Sequence, residues 1–129
     1  MDNYQRELNG PDAVALLAAL RQGTLSVEQL MQSQLARLDQ VQPQINGATR
    51  IFHDQALAQA RLLDASGDSS LRLFGLPCSV KETFGLAGEL LTAGSLRMTP
   101  HVPTEDAQIV RRLKEAGAIV MARSNVPAF

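Results

Sequence analysis

The stretch that decides the fold is Leu73–Gly85, LFGLPCSVKETFG. Upstream of it the apolar residues recur at helical spacing. Here they gather into a short run with period-two character, which reads as a buried strand. Extended over residues 76–81, Leu76, Cys78 and Val80 point one way and Pro77, Ser79 and Lys81 the other. Thr83 joins the second face if the strand continues. One face is then apolar, with Cys78 as a core thiol, and the other carries two hydroxyls and an amine. From spacing alone, Lys81 reads most simply as a strand-end lysine that takes its amine to solvent. The sharper reading is functional: a lysine held partly out of water can act as a general base, with neighbouring hydroxyls passing protons.

Downstream, PHVPTEDAQ (residues 100–108) reads as a loop entering a helix. Thr104 is the expected N-cap, with Glu105 and Asp106 near the positive end of the dipole. Ile109, Val110, Leu113 and Ala116 form the apolar side, and Gly117 is a natural C′ residue. AIVMA (118–122) follows as a continuous apolar strand of the kind found in covered parallel sheets. A second extended piece is expected over Leu90–Ala93. Upstream, PDAVALLAALRQG (11–23) reads as a helix with Pro11 and Asp12 in its first turn. Ser26 with Gln29 forms a capping box for a second helix, stopped by Pro43. INGATRIF (45–52) is ambiguous between loop and short strand. DQALAQARLLDAS (54–66) is a third helix with Ala56, Leu57, Ala60 and Leu63 buried, and SGDSS (66–70) is a loop. The order predicts an α/β fold in one domain: residues 1–70 a helical layer, 71–129 a strand–helix–strand part.

Composition narrows the function. A chain of 129 residues is about one domain. With 45% hydrophobic and 19% charged residues, a packed core is expected rather than disorder. A net charge of −1 without a Lys/Arg block argues against nucleic acid or an anionic membrane as partner. Cys78 is the only cysteine, so no internal disulfide forms, which fits a reducing cytoplasm. His53 and His101, the only histidines, read as surface residues, and no metal site or cofactor is expected. MDNYQREL at the start lacks the character of a secretory signal. No apolar run reaches the length of a transmembrane span. GLAGELLTAGS is glycine-rich but has no phosphate-loop pattern. Asn125 reads as a turn residue after the last strand.

Taken in order, these segments resemble the amidase signature family. LFGLPCSVKET resembles its Leu-x-Gly-Ile-Pro-x-x-Val-Lys-Asp stretch, and LTAGS (91–95) its Thr-x-Gly-Ser loop. DAQIVRRLKEAGAIVMARSNVPAF (106–129) resembles the helix, strand and Gly-Lys-Thr-Asn-x-x-Glu-Phe segment that come next in the family. INGA before an alanine-rich helix also sits where the family has it. Glu82 stands where many members have Asp, Arg123 and Ser124 where Lys and Thr are common, and Ala128 replaces a usual Glu. SVKET and NVP resemble the fatty-acid amide hydrolase branch more than the tRNA amidotransferase branch.

The resemblance implies helices packed on a mixed β-sheet, incomplete here, and hydrolysis of a carboxylic amide by a Ser–cis-Ser–Lys set. Lys81 matches the lysine base. The resemblance thus reverses the simpler reading of this residue. Ser79, Thr83, Thr92, Ser95 and Asn125 are the expected neighbours of the site. The family's two serines lie in a Gly-Gly-Ser-Ser-Gly-Gly-type stretch that these residues lack. The expectation is an N-terminal portion that supplies the base and is inactive alone. The nucleophile would come from a continuation or a partner chain, and the substrate would be a small amide. The alternative is a non-catalytic binding or regulatory module built on the same scaffold.

Overall fold

Asp12 opens the first helix, α1 (Ala13–Gln22), by accepting a hydrogen bond from the Ala15 N–H at 2.8 Å. It is therefore the cap, one position before the first turn in which it was expected. A computed structural model of the chain describes residues 10–98 and 100–128, so the N-terminal MDNYQREL lies outside the described residues. The expected capping box starts α2 (Val27–Ile45): Ser26 Oγ accepts from the Gln29 N–H, and the Ser26 N–H donates to Gln29 Oε1, both at 3.0 Å. The Asp64 carboxylate adds to this cap, accepting from the Val27 and Glu28 N–H groups at 2.8 and 3.0 Å. An anion from another helix thus meets the positive end of α2.

Pro43 does not stop α2. The ring costs one bond, the one its own N–H would give to Asp39, and the last turn survives it. The helix ends at Asn46, which takes the left-handed conformation (φ 45°) and gives its N–H to the Gln42 carbonyl at 2.8 Å. The ambiguous segment after it becomes β1 (Ala48–Ile51), and α3 (His53–Ser66) comes next, with Ala56 and Ala60 buried and Leu57 and Leu63 half-buried.

The remaining elements are β2 (Pro77–Lys81), a short 3-10 turn (Leu96–Met98), α4 (Gln108–Glu115) and β3 (Ile119–Ser124). The strands make one mixed sheet in the order β1-β3-β2, with β3 parallel to β2 and antiparallel to β1. Leu90–Ala93 is not a strand. The Leu90 carbonyl and the Thr92 N–H are bound by the buried side chains of Arg123 and Glu82, and the Leu91 N–H by the His101 carbonyl, rather than by a ladder. Thr104 does not cap α4 either. That helix begins after Ala107 without a side-chain cap, because Asp106 is held elsewhere, by the Ala87 N–H (2.9 Å) and Lys114 Nζ (2.7 Å). Of its expected apolar side, Val110 is buried, Leu113 and Ala116 are half-buried, and Ile109 is exposed.

Two apolar clusters cover the sheet. The larger joins α1, α2 and α3 to one side through Leu20, Met31, Leu35, Ala60, Met121 and Ala122. The smaller, on the α4 side, holds Phe52, Val80, Leu86 and Val110. Leu76 packs on the larger cluster and Val80 in the smaller, so the strict alternation expected for residues 76–80 is not kept. Leu76 lies before β2, in the turn its N–H closes on the Leu73 carbonyl, and the pairing itself shifts: Cys78 pairs with Val120 but Ser79 with Ala122, which leaves Met121 as an extra residue in β3. Met121 and Ala122 both join the larger cluster, and the next side chain, Arg123, turns towards the loop after β2. Re-aiming a side chain is a characteristic effect of a bulge.

Candidate active site

β2 and β3 run parallel and finish level with each other. Lys81 pairs with Ser124, and the Glu82 N–H donates to the Ser124 carbonyl at 3.1 Å. Carboxyl ends of parallel strands are where open α/β sheets place ligands. Lys81 stands at that end. Its side chain is exposed and makes no hydrogen bond or ion pair among the described residues. The expected partial shelter from water is therefore not supplied by these residues.

Ser79 is exposed on the same strand and lines a groove of about 330 Å³ with Cys78, Ser124 and residues of α2 such as Leu38 and Val41. Cys78 is half-buried there. Burial pushes its thiol above the ordinary value, the Lys114 charge opposing, so the reactive thiolate is disfavoured. Thr83 does not continue the strand: β2 ends at Lys81, and the Phe84 N–H closes a turn on the Lys81 carbonyl at 2.9 Å.

The residue after Lys81 organises the loop beyond it. Glu82 is 4% exposed. Its Oε1 accepts from the Thr92 N–H at 2.7 Å, Thr92 Oγ1 lies 3.3 Å from both carboxylate oxygens, and Oε2 accepts from the Gly94 N–H at 3.3 Å. Arg123, 2% exposed, lies 3.9 Å from Glu82 Oε1. It donates to the Phe84 carbonyl at 3.0 Å and also to the Leu90 carbonyl. One buried ion pair thus grips the segment 84–94 at four backbone points. Burial pulls the guanidinium below its ordinary value while Glu82 and Glu89 oppose. Arg123 Nε is buried without a hydrogen-bond partner.

Thr92 therefore reaches the Lys81 end of the sheet through Glu82, and Ser95 follows it by donating its N–H to the Thr92 carbonyl at 2.9 Å. The loop also packs on the chain after β3: a Cβ on Gly94 (φ 74°) would lie 2.6 Å from the Pro127 carbonyl oxygen, so only glycine fits. Asn125 behaves differently. Its N–H donates to the Gly47 carbonyl (2.9 Å), its Nδ2 to the Asn46 carbonyl (3.0 Å), and its Oδ1 accepts from the Val126 N–H (2.8 Å). Those bonds join the end of β3 to the α2–β1 turn, a structural use. Sequence reasoning treated Glu82 and Arg123 only as departures from a motif. The available signal was their position, Glu82 just past the end of β2 and Arg123 at the end of the apolar run of β3.

His53 is partly exposed, and its Nε2 lies 2.9 Å from Asp39. The described residues contain no group of three or more His, Cys, Asp or Glu able to hold a metal ion, and no helix long and apolar enough to cross a membrane.

Comparison with known proteins gives these features a context. The chain is similar to a glutamyl-tRNA(Gln) amidotransferase subunit of Oleidesulfovibrio alaskensis, with 37% identity over 113 residues covering 87% of this chain and 23% of that protein. It superposes on the peptide amidase of Stenotrophomonas maltophilia with a TM-score of 0.79 and 32% identity, covering 91% of this chain and 25% of that one. A fatty acid amide hydrolase gives a TM-score of 0.83 over 96% of this chain and 24% of its own, but at 23% identity that likeness shows the fold alone. The chain spans about a quarter of the length of the relatives it matches. The fold matches the expected one: helices on a mixed sheet, as in amidase signature proteins. The family model named Amidase matches residues 29–129, and the chain belongs to that family.

Proposed function

We propose that this chain supplies the lysine base of a serine amidase that cleaves the C–N bond of a carboxylic amide. The observation that carries the reading is Lys81, an amine without a partner among the described residues, at the carboxyl end of the parallel pair β2/β3 and within the matched region. In this reading the Lys81 amine accepts a proton relayed through one serine. A second serine adds to the amide carbonyl, the amine leaves, and water releases the acid from the acyl-enzyme. Both serines and the oxyanion-binding N–H groups belong to a Gly/Ser-rich segment of the whole protein, or to a partner chain. No stretch of that type occurs in the present 129 residues. That this chain covers only 23% of one relative, itself a single amidotransferase subunit, supports the variant in which a continuation of the same chain carries that segment. The substrate is a small-molecule amide, and the 129-residue chain alone is inactive.

A fluorophosphonate probe, which captures activated serines, tests the reading. The chain alone should not be labelled. The protein that unites it with the Gly/Ser-rich segment should be, and Lys81→Met should slow that labelling by about a hundredfold or more. Equal labelling of wild type and Lys81→Met would contradict the assignment. A united protein that takes no label would favour a binding module on the same scaffold.

A further inference from the structure

We propose that the buried Glu82–Arg123 pair is a positioning device, which fixes the Lys81 end of β2 against the loop Thr92–Ser95. The proposal rests on Lys81 being the base. Lys81 and Glu82 are consecutive, so fixing the Glu82 side chain fixes the backbone that carries the lysine. That side chain is held from both directions: Arg123 approaches Oε1 at 3.9 Å, and the Thr92 and Gly94 N–H groups donate at 2.7 and 3.3 Å. Arg123 is itself set by the register shift in β3 and by the carbonyls of Phe84 and Leu90. The loop has little conformational freedom of its own. Ala93 and Gly94 both carry positive φ, 47° and 74°. An alanine in that region persists only where its surroundings over-determine it, and here the carboxylate bonded to both neighbouring N–H groups does so. The pair therefore couples two things at once: where the lysine stands, and where the threonine and serine of the loop stand relative to it. Neither Glu82 nor Arg123 is exposed enough to touch a substrate. Their effect on chemistry runs through Lys81 and the loop, and misplacement by about 1 Å can cost about a hundredfold in rate.

The test uses the amide-hydrolysing protein that contains this chain. Glu82→Gln keeps the shape but loses the charge. It should lower kcat per folded molecule about tenfold or more while KM changes less than about threefold. Glu82→Asp, which keeps the carboxylate, should recover most of the loss. Thr92→Ala, a milder change that removes only the hydroxyl contact, should lower kcat severalfold, and it carries the test if Glu82→Gln fails to fold. Amide exchange at Thr92 and Gly94 should be slow in wild type and at least tenfold faster in Glu82→Gln. Unchanged kcat per folded molecule in both Glu82→Gln and Thr92→Ala, or fast exchange already in wild type, overturns the positioning role. Lys81→Met separates the two readings. Full activity there overturns the base assignment. Lost activity there, with unchanged kcat in both Glu82→Gln and Thr92→Ala, overturns only the positioning role.

Discussion

Arg123 is the residue whose removal should hurt folding most. Its guanidinium is 2% exposed, faces Glu82 and holds two loop carbonyls. Arg123→Met fills similar space but strands a buried carboxylate at the end of β2. A broken buried pair typically costs about 3–5 kcal/mol, because the remaining charge is uncompensated. A drop in the denaturant midpoint worth about 3 kcal/mol or more is expected, with part of it recovered in the Glu82→Leu, Arg123→Met double variant. A loss under about 1 kcal/mol would mean that the Thr92 and Gly94 N–H bonds suffice for the buried carboxylate without the guanidinium. The pair was not legible in the sequence for a physical reason. Alternation along MARS assigns Arg123 no particular partner, and the shift at Met121 that turns it towards the loop is a property of strand pairing. Lys81 differs: its place at the end of an apolar strand is local in sequence, and the motif around it, not its spacing, singles it out as the proposed base.

At the scale of elements, α4 depends on a contact that its own cap position does not supply. Asp106 lies outside the helix, accepts from Ala87 and Lys114, and ties the loop after Gly85 to the last turn of α4. Burial would raise its carboxyl, but the Lys114 and Ala87 hydrogen bonds and the charges of Lys114 and Arg111 outweigh this, leaving it below the ordinary value. A carboxylate lowered in the folded state contributes stability above the unfolded value of about 3.9, and loses it as pH falls through the folded value. Asp106→Asn should therefore lower the melting temperature at pH 7, and the difference from wild type should shrink below about pH 4. A difference independent of pH would contradict the charge-based account. Capping signals proved readable where they were local, as in Ser26 with Gln29 three residues later. They misled at Thr104, because the competing partner of Asp106 is Ala87, 19 residues away. Pro43 misled for a related reason: one lost bond does not end a helix whose following turn is closed by Asn46.

The whole chain leaves much of its sheet and helix surface open. β1 and β2 are both edge strands, and Leu96, Val14 and Leu62 are 88%, 77% and 65% exposed. Unpaired edges and exposed apolar side chains favour association. The isolated 129 residues should bind a hydrophobic dye and show a mass above 13.9 kDa in light scattering at micromolar concentration. A dye-silent monomer with a sharp thermal transition would instead mark a self-sufficient module. The α/β class, the mixed sheet and the family were readable from strand, helix and motif order. The groove beside β2 was not, because it depends on how α2 and β3 pack, whereas the exposure of Lys81 follows the simplest reading of its spacing. The central claim is that Lys81 is the base, and the most direct measurement is amide hydrolysis by the protein that contains this chain, with Lys81→Met compared to wild type. The account predicts a fall in kcat/KM of about a thousandfold or more with the fold retained, and hydrolysis within about threefold of wild type would contradict it.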